Sequence, residues 1–113
     1  MKNKMLLYNT AREEVEKLKL DKYHTHFLVE MVVRKIRHPE EKMDKIATKA
    51  MKEMRKNYSK KNVVEVSAKK CLDQLESALN DSDEVPQDWL LGQTVSHVVK
   101  KLAEIVIASV SEE

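Results

Sequence analysis

Residues 43–58, MDKIATKAMKEMRKNY, decide the fold class. Met43, Ile46, Ala47, Ala50, Met51, Met54 and Tyr58 fall at i, i+3, i+4, i+7, i+8, i+11 and i+15, which is one face of a helix with 3.6 residues per turn. A half-buried strand would alternate with period two, and this stretch does not. Lys45, Lys49, Lys52 and Lys56 stand between the apolar positions, with Lys42 just before them. The segment therefore reads as an amphipathic helix with one face for a core and a basic face for water.

The same period continues on both sides. Met5, Tyr8, Ala11, Val15 and Leu18 predict a helix over 4–19. Phe27, Leu28, Met31, Val32 and Ile36 predict a second, with Asp21 as its N-cap and its end near Arg37, because a proline at 39 pushes the residue before it out of the helical region. Pro39 reads as the first residue of the third helix, where no amide hydrogen is needed, with Glu40 and Glu41 suiting the positive end of the helix dipole. Residues 59–61 form a polar break. Asn62 and Glu65 make a relaxed capping box for a fourth helix carrying Val64, Ala68, Cys71, Leu72, Leu75 and Leu79. Residues 80–84 read as an acidic loop, and Pro86 opens a short turn bearing Asp88, Trp89, Leu90 and Leu91, with Gly92 permitting a bend. From 93 to about 110, Val95, Val98, Val99, Leu102, Val106 and Val110 return to helical spacing. Ile105 and its β-branched neighbours would suit a strand, but a solitary strand has no partner. The expectation is an all-α chain: a small antiparallel bundle of four to five amphipathic helices, with residues 1–113 as one helical-bundle domain.

Composition points the same way. The 113 residues include one glycine, where average usage gives about eight. Phosphate-cradling loops, dinucleotide fingerprints and nucleophile elbows need glycine for positive φ or close backbone approach, and none of their motifs occurs. The 35% charged fraction would suit disorder, but the 42% hydrophobic fraction is periodic, which predicts a folded core. No apolar run reaches the length of a membrane span. The apolar residues 5–8 are too few for a signal peptide. Cys71 is the one cysteine, so neither an internal disulfide nor a CxxC knuckle is available. A cytoplasmic setting without membrane attachment is the expectation.

The net charge of +2 hides a strong asymmetry. Residues 33–61 hold eleven basic and four acidic groups, and residues 73–113 hold two basic and nine acidic. The basic block is Arg34, Lys35, Arg37, Lys42, Lys45, Lys49, Lys52, Arg55, Lys56, Lys60 and Lys61. A ridge of lysines at every third or fourth position suits a phosphate backbone. The plainer reading is a solvated helix face, softened by Glu41 and Asp44 and balanced by the acidic tail. Base-specific reading is not expected, since the one glycine lies in the acidic part, away from any helix-turn-helix, and no zinc-finger spacing is present.

Other chemistry-bearing residues have structural alternatives. His24 and His26 lie two apart, which on a helix points them about 200° apart, so they cannot share an ion there; in a loop or strand they could, with His38, His97 or Cys71 as further donors. Cys71 falls on an apolar stripe, the usual place of an inert buried thiol, and a nucleophile would need His97 or His38 beside it. The carboxylate pairs at 13–14, 40–41 and 83–84 suit exposed faces and helix starts. Met31, Met43, Met51 and Met54 read as core fillers in a chain with few aromatic residues, or as an adaptable groove. Trp89, Leu90 and Leu91 form either a cap on the bundle or an anchor for a partner. The last helix is apolar over much of its surface, with Ile105 and Ile107 beside its main stripe, which suits a central position or a homodimer interface. These readings combine into a small non-catalytic helical module, without cofactor or metal, that binds another protein as an adaptor, inhibitor or accessory subunit through Trp89, Leu90 and Leu91. The alternative is a nucleic-acid-binding protein that uses the ridge within residues 34–61.

Overall fold

The computed structural model of the chain describes residues 4–56, 67–91 and 94–111. Tyr58, the break at 59–61 with Lys60 and Lys61, the capping pair Asn62 and Glu65, Val64, Gly92 and the side chain of Arg55 lie outside what is described. Among the described residues there are five α-helices and no strand. They are α1 (Lys4–Glu16), α2 (Lys22–Arg37), α3 (Met43–Arg55), α4 (Ala68–Asp81) and α5 (Thr94–Ser111), with a 3-10 turn, Gln87–Leu90, between α4 and α5. The chain is a small helical bundle, as the 3.6-residue periodicity predicts.

The helices form where the apolar stripes lie. α1 buries Leu7, Ala11 and Val15, spaced four apart, and ends three residues earlier than its stripe suggests. Leu18 and Lys19 donate amides to the carbonyls of Val15 and Glu16, and Lys19 takes φ of 57°, the left-handed region in which a side chain is disfavoured. The Ser82 hydroxyl donates to the Leu18 carbonyl and so ties the end of α1 to the end of α4. α2 begins at the expected cap: the Asp21 carboxylate accepts the His24 amide at 2.8 Å. α3 buries Ile46, Ala47, Ala50, Met51 and Met54, the stripe read from the sequence. α4 starts with Ser67, whose hydroxyl accepts the Lys70 amide at 3.2 Å, and buries Cys71, Leu75 and Leu79.

Two further expected boundaries are wrong: α4 is capped by Ser67 and not by Asn62, and the start of α3 is displaced. The third helix does not begin at Pro39 but at Met43, with Lys42 as its N-cap. Residues 38–41 form a turn in which the Glu41 amide donates to the His38 carbonyl at 3.0 Å. Glu40 and Glu41 therefore do not serve the α3 dipole. Glu41 turns back to Arg34 of α2, and that ion pair outweighs the modest gain of a proline-led first turn.

α2 packs against α1, α3 and α5, and α5 packs against α1, α2, α4 and the 3-10 turn. Phe27, Leu28, Met31, Val32, Val98, Val99, Leu102 and Val106 from these two helices belong to one continuous core. The apolar breadth of α5 is thus used largely within the chain. Ile107, at 47% exposure, is the large apolar side chain it leaves to solvent among the described residues. Met31, Met51 and Met54 are core, Met43 is half-buried against it, and Met5 is exposed, so the described methionines do not gather into an open groove. No described helix is long and apolar enough to cross a membrane.

Candidate functional site

The sequence brings two candidate sites forward, the basic ridge and the turn holding Trp89. Burial of the Ile46–Met54 stripe fixes the rotation of α3, so its opposite face points outward. Lys42, Lys45, Lys52 and Lys56 are exposed, and Lys49 is half-buried at the edge of the same face. Lys56 pairs with Glu53 at 3.1 Å. Lys42, Lys45, Lys49 and Lys52 make no ion pair with any described residue. The side chains between them are engaged locally: the Asp44 carboxylate accepts the Lys45 amide at 2.8 Å, and the Thr48 hydroxyl donates to the Asp44 carbonyl at 2.9 Å. A shallow cleft of about 1030 Å³ runs along this face, lined by Lys42, Lys45, Lys49 and Lys52 together with His38 and the carboxylates Glu40, Glu41 and Asp44.

The remaining predicted cations do different work. Arg34 donates from Nε and Nη2 to the two carboxylate oxygens of Glu41, the second bond at 3.0 Å. That bond pulls the Glu41 carboxyl below the usual range and holds the guanidinium charged. Lys35 donates to the Pro39 carbonyl at 2.8 Å, closing the end of α2. Both residues brace the α2–α3 reversal and leave the outward field to α3 and the exposed Arg37.

Behind the ridge lies a second cavity, about 740 Å³, between α1, α2 and α3. Lys49 lines it too, with Tyr8, Arg37, Glu30 and Glu53. Burial raises the Glu30 carboxyl above its ordinary range. The positive field and hydrogen bond of His26 oppose that rise, and the nearby Glu53 carboxylate adds to it. This meeting of Glu30 and Glu53 across α2 and α3 has no sequence signature, because it depends on how two helices cross.

The turn is partly closed onto the core. Its Trp89 amide donates to the Pro86 carbonyl at 3.0 Å, and Trp89 and Leu90 are half-buried against the core. Leu91 is 70% exposed. Asp83, Glu84 and Asp88 around them are exposed, so this end of the molecule is acidic.

His24 and His26 sit in the first two turns of α2, and neither joins a set of metal donors among the described residues. His24 Nδ1 is 2.8 Å from the Asp21 carboxylate, and its buried Nε2 has no hydrogen-bond partner. His26 lies 3.6 Å from the Glu30 carboxylate. Among the described residues no group of three or more His, Cys, Asp or Glu side chains could hold a metal ion. Cys71 is buried with its Sγ 3.5 Å from the Tyr23 hydroxyl, and neither His38 nor His97 is within hydrogen-bond reach of it. Set against known proteins, the chain matches no family model, no curated protein and no solved structure.

Proposed function

We propose that the protein is a non-catalytic binding module that takes a polyanionic partner on the basic face of α3. The carrying observation is the row Lys42, Lys45, Lys49 and Lys52, turned outward and without ion pairs to described residues. Lysines on a solvated face ordinarily find carboxylates three or four positions away, as Lys56 finds Glu53 and Lys17 finds Glu14. Here Glu41 pairs with Arg34 and the Asp44 carboxylate accepts the Lys45 amide, so neither closes an ion pair with the row, although both line its cleft with Glu40. The acidic end near Asp83, Glu84 and Asp88 gives the molecule a charge asymmetry that orients an approaching polyanion.

Retention on immobilised heparin tests this reading. The wild-type chain is expected to bind at low salt, and a Lys45→Glu, Lys52→Glu variant of unchanged helicity to flow through. A wild-type chain that flows through, or a variant that elutes with it, refutes the proposal.

A second reading keeps a protein partner on the 3-10 turn, as an adaptor or accessory subunit would have. The exposed Leu91 beside half-buried Trp89 and Leu90 favours it. A photo-cross-linking residue at position 91 tests it: one discrete protein adduct supports this reading, and no adduct removes it.

A further inference from the structure

We propose that the polyanion is double-stranded DNA, held by its phosphates along α3 with little selection among bases. This rests on the reading of α3 as a polyanion site and adds the partner's identity. Lys42, Lys45, Lys49, Lys52 and Lys56 follow one another at steps of three or four residues, so five cations span about 21 Å of helix axis. The row is straight and rigid, because the other face of α3 is locked by Ile46, Ala47, Ala50, Met51 and Met54. A duplex presents a matching rigid array, with about one phosphate charge per 1.7 Å of axis over both strands.

Three features narrow the choice of polyanion. Single strands are held by aromatic platforms on which bases stack, and among the described residues the outward lysine row carries none: Phe27 is buried, Tyr23 lies by Cys71, Trp89 sits at the acidic end, and Tyr8 is half-buried in the cavity behind the row. Base reading wants a free arginine, asparagine or glutamine aimed at base edges, whereas the described side chains between the lysines are Asp44, Thr48 and Glu53, engaged with the Lys45 amide, the Asp44 carbonyl and Lys56. The major groove of B-form DNA, about 12 Å wide, admits a helix, and that of A-form RNA is too narrow.

Fluorescence anisotropy with mixed-sequence DNA duplexes of about two helical turns tests the proposal, with the separated strand, an RNA duplex, heparin and polyglutamate as further probes. DNA duplex is expected to bind at least about tenfold more tightly than single strand or RNA. With Lys56 held by Glu53, the four unpaired lysines give a log–log salt slope near −3.6, a loss of about 150-fold between roughly 50 and 200 mM salt. Lys45→Gln with Lys52→Gln should make the slope shallower by about two while circular dichroism is unchanged. Binding of heparin with duplex no tighter than single strand, RNA or polyglutamate overturns the DNA assignment and leaves the polyanion face standing. Binding of none of the probes, or binding untouched by the double variant, overturns both.

Discussion

The guanidinium of Arg34 grips the carboxylate of Glu41 across seven residues of chain, so the reversal from α2 to α3 is held by a two-pronged ion pair as well as by Pro39. The brace lies just before the start of α3 and ties up one of the carboxylates that line the lysine cleft.

Removing either partner should loosen the reversal. Arg34→Gln and Glu41→Gln are each expected to lower the thermal midpoint, and the double variant should be less destabilised than the two single losses added together. Arg34→Lys should fail to restore stability, because an ammonium lacks the planar fork. The Glu41 carboxyl titrates below its ordinary value of 4.5 in the fold. Its contribution is therefore present above that pH and is lost as pH falls through the lowered value. Melting curves of the wild type and Glu41→Gln should converge in acid.

Glu30 carries the opposite sign. Its carboxyl is raised by burial, with Glu53 adding to the rise, so the native state holds the proton more readily than the unfolded chain. Stability from this group is present below the ordinary value of 4.5 and falls as pH rises through the raised one. Glu30→Gln should therefore melt above the wild type near neutral pH, and the difference should vanish in acid. A variant that melts below the wild type near neutral pH would show that the His26 contact outweighs burial.

Lys19 stands where the backbone turns left-handed, a region costly to a residue with a side chain. Lys19→Gly removes that penalty and returns part of the gain as unfolded-state entropy, for a net stabilisation of about 0.5–1 kcal/mol. Urea denaturation should register it as a higher midpoint with unchanged slope.

Trp89 and Leu91 separate the cap from the anchor. Trp89→Ala is expected to cost about 2 kcal/mol, below the full core value because the indole is half-buried. Leu91→Ser should stay within about 0.5 kcal/mol, as its side chain touches little of the core. Equal losses in chemical denaturation would show that Leu91 also closes the bundle.

The helices were legible because periodicity is a local property. The Ile46–Met54 stripe, the Asp21 cap and the turn after Pro86 all rest on neighbours within a few positions. The start of α3 was misread because Pro39 and Glu40 form a good local helix opening, and only the distant Arg34 makes a turn better. The lysine face was legible as a pattern, but the lack of ion pairs from Lys42, Lys45, Lys49 and Lys52 to described residues was not, since that depends on where Glu41 and Asp44 turn. The meeting of Cys71 with Tyr23, and of Ser82 with the end of α1, joins residues 48 and 64 positions apart and leaves no mark in the sequence.

The central place of α5 also sets an order on folding during synthesis. The helix that covers α1, α2 and α4 is made after all of them. Until it leaves the ribosome, the apolar surfaces of Leu7, Phe27 and Leu75 lack part of their shared core, and the nascent chain presents greasy helices to its surroundings. Pairing of α1 with α5 closes most of the chain into one loop, the longest closure among the described helices, and so the one with the largest loop-closure entropy.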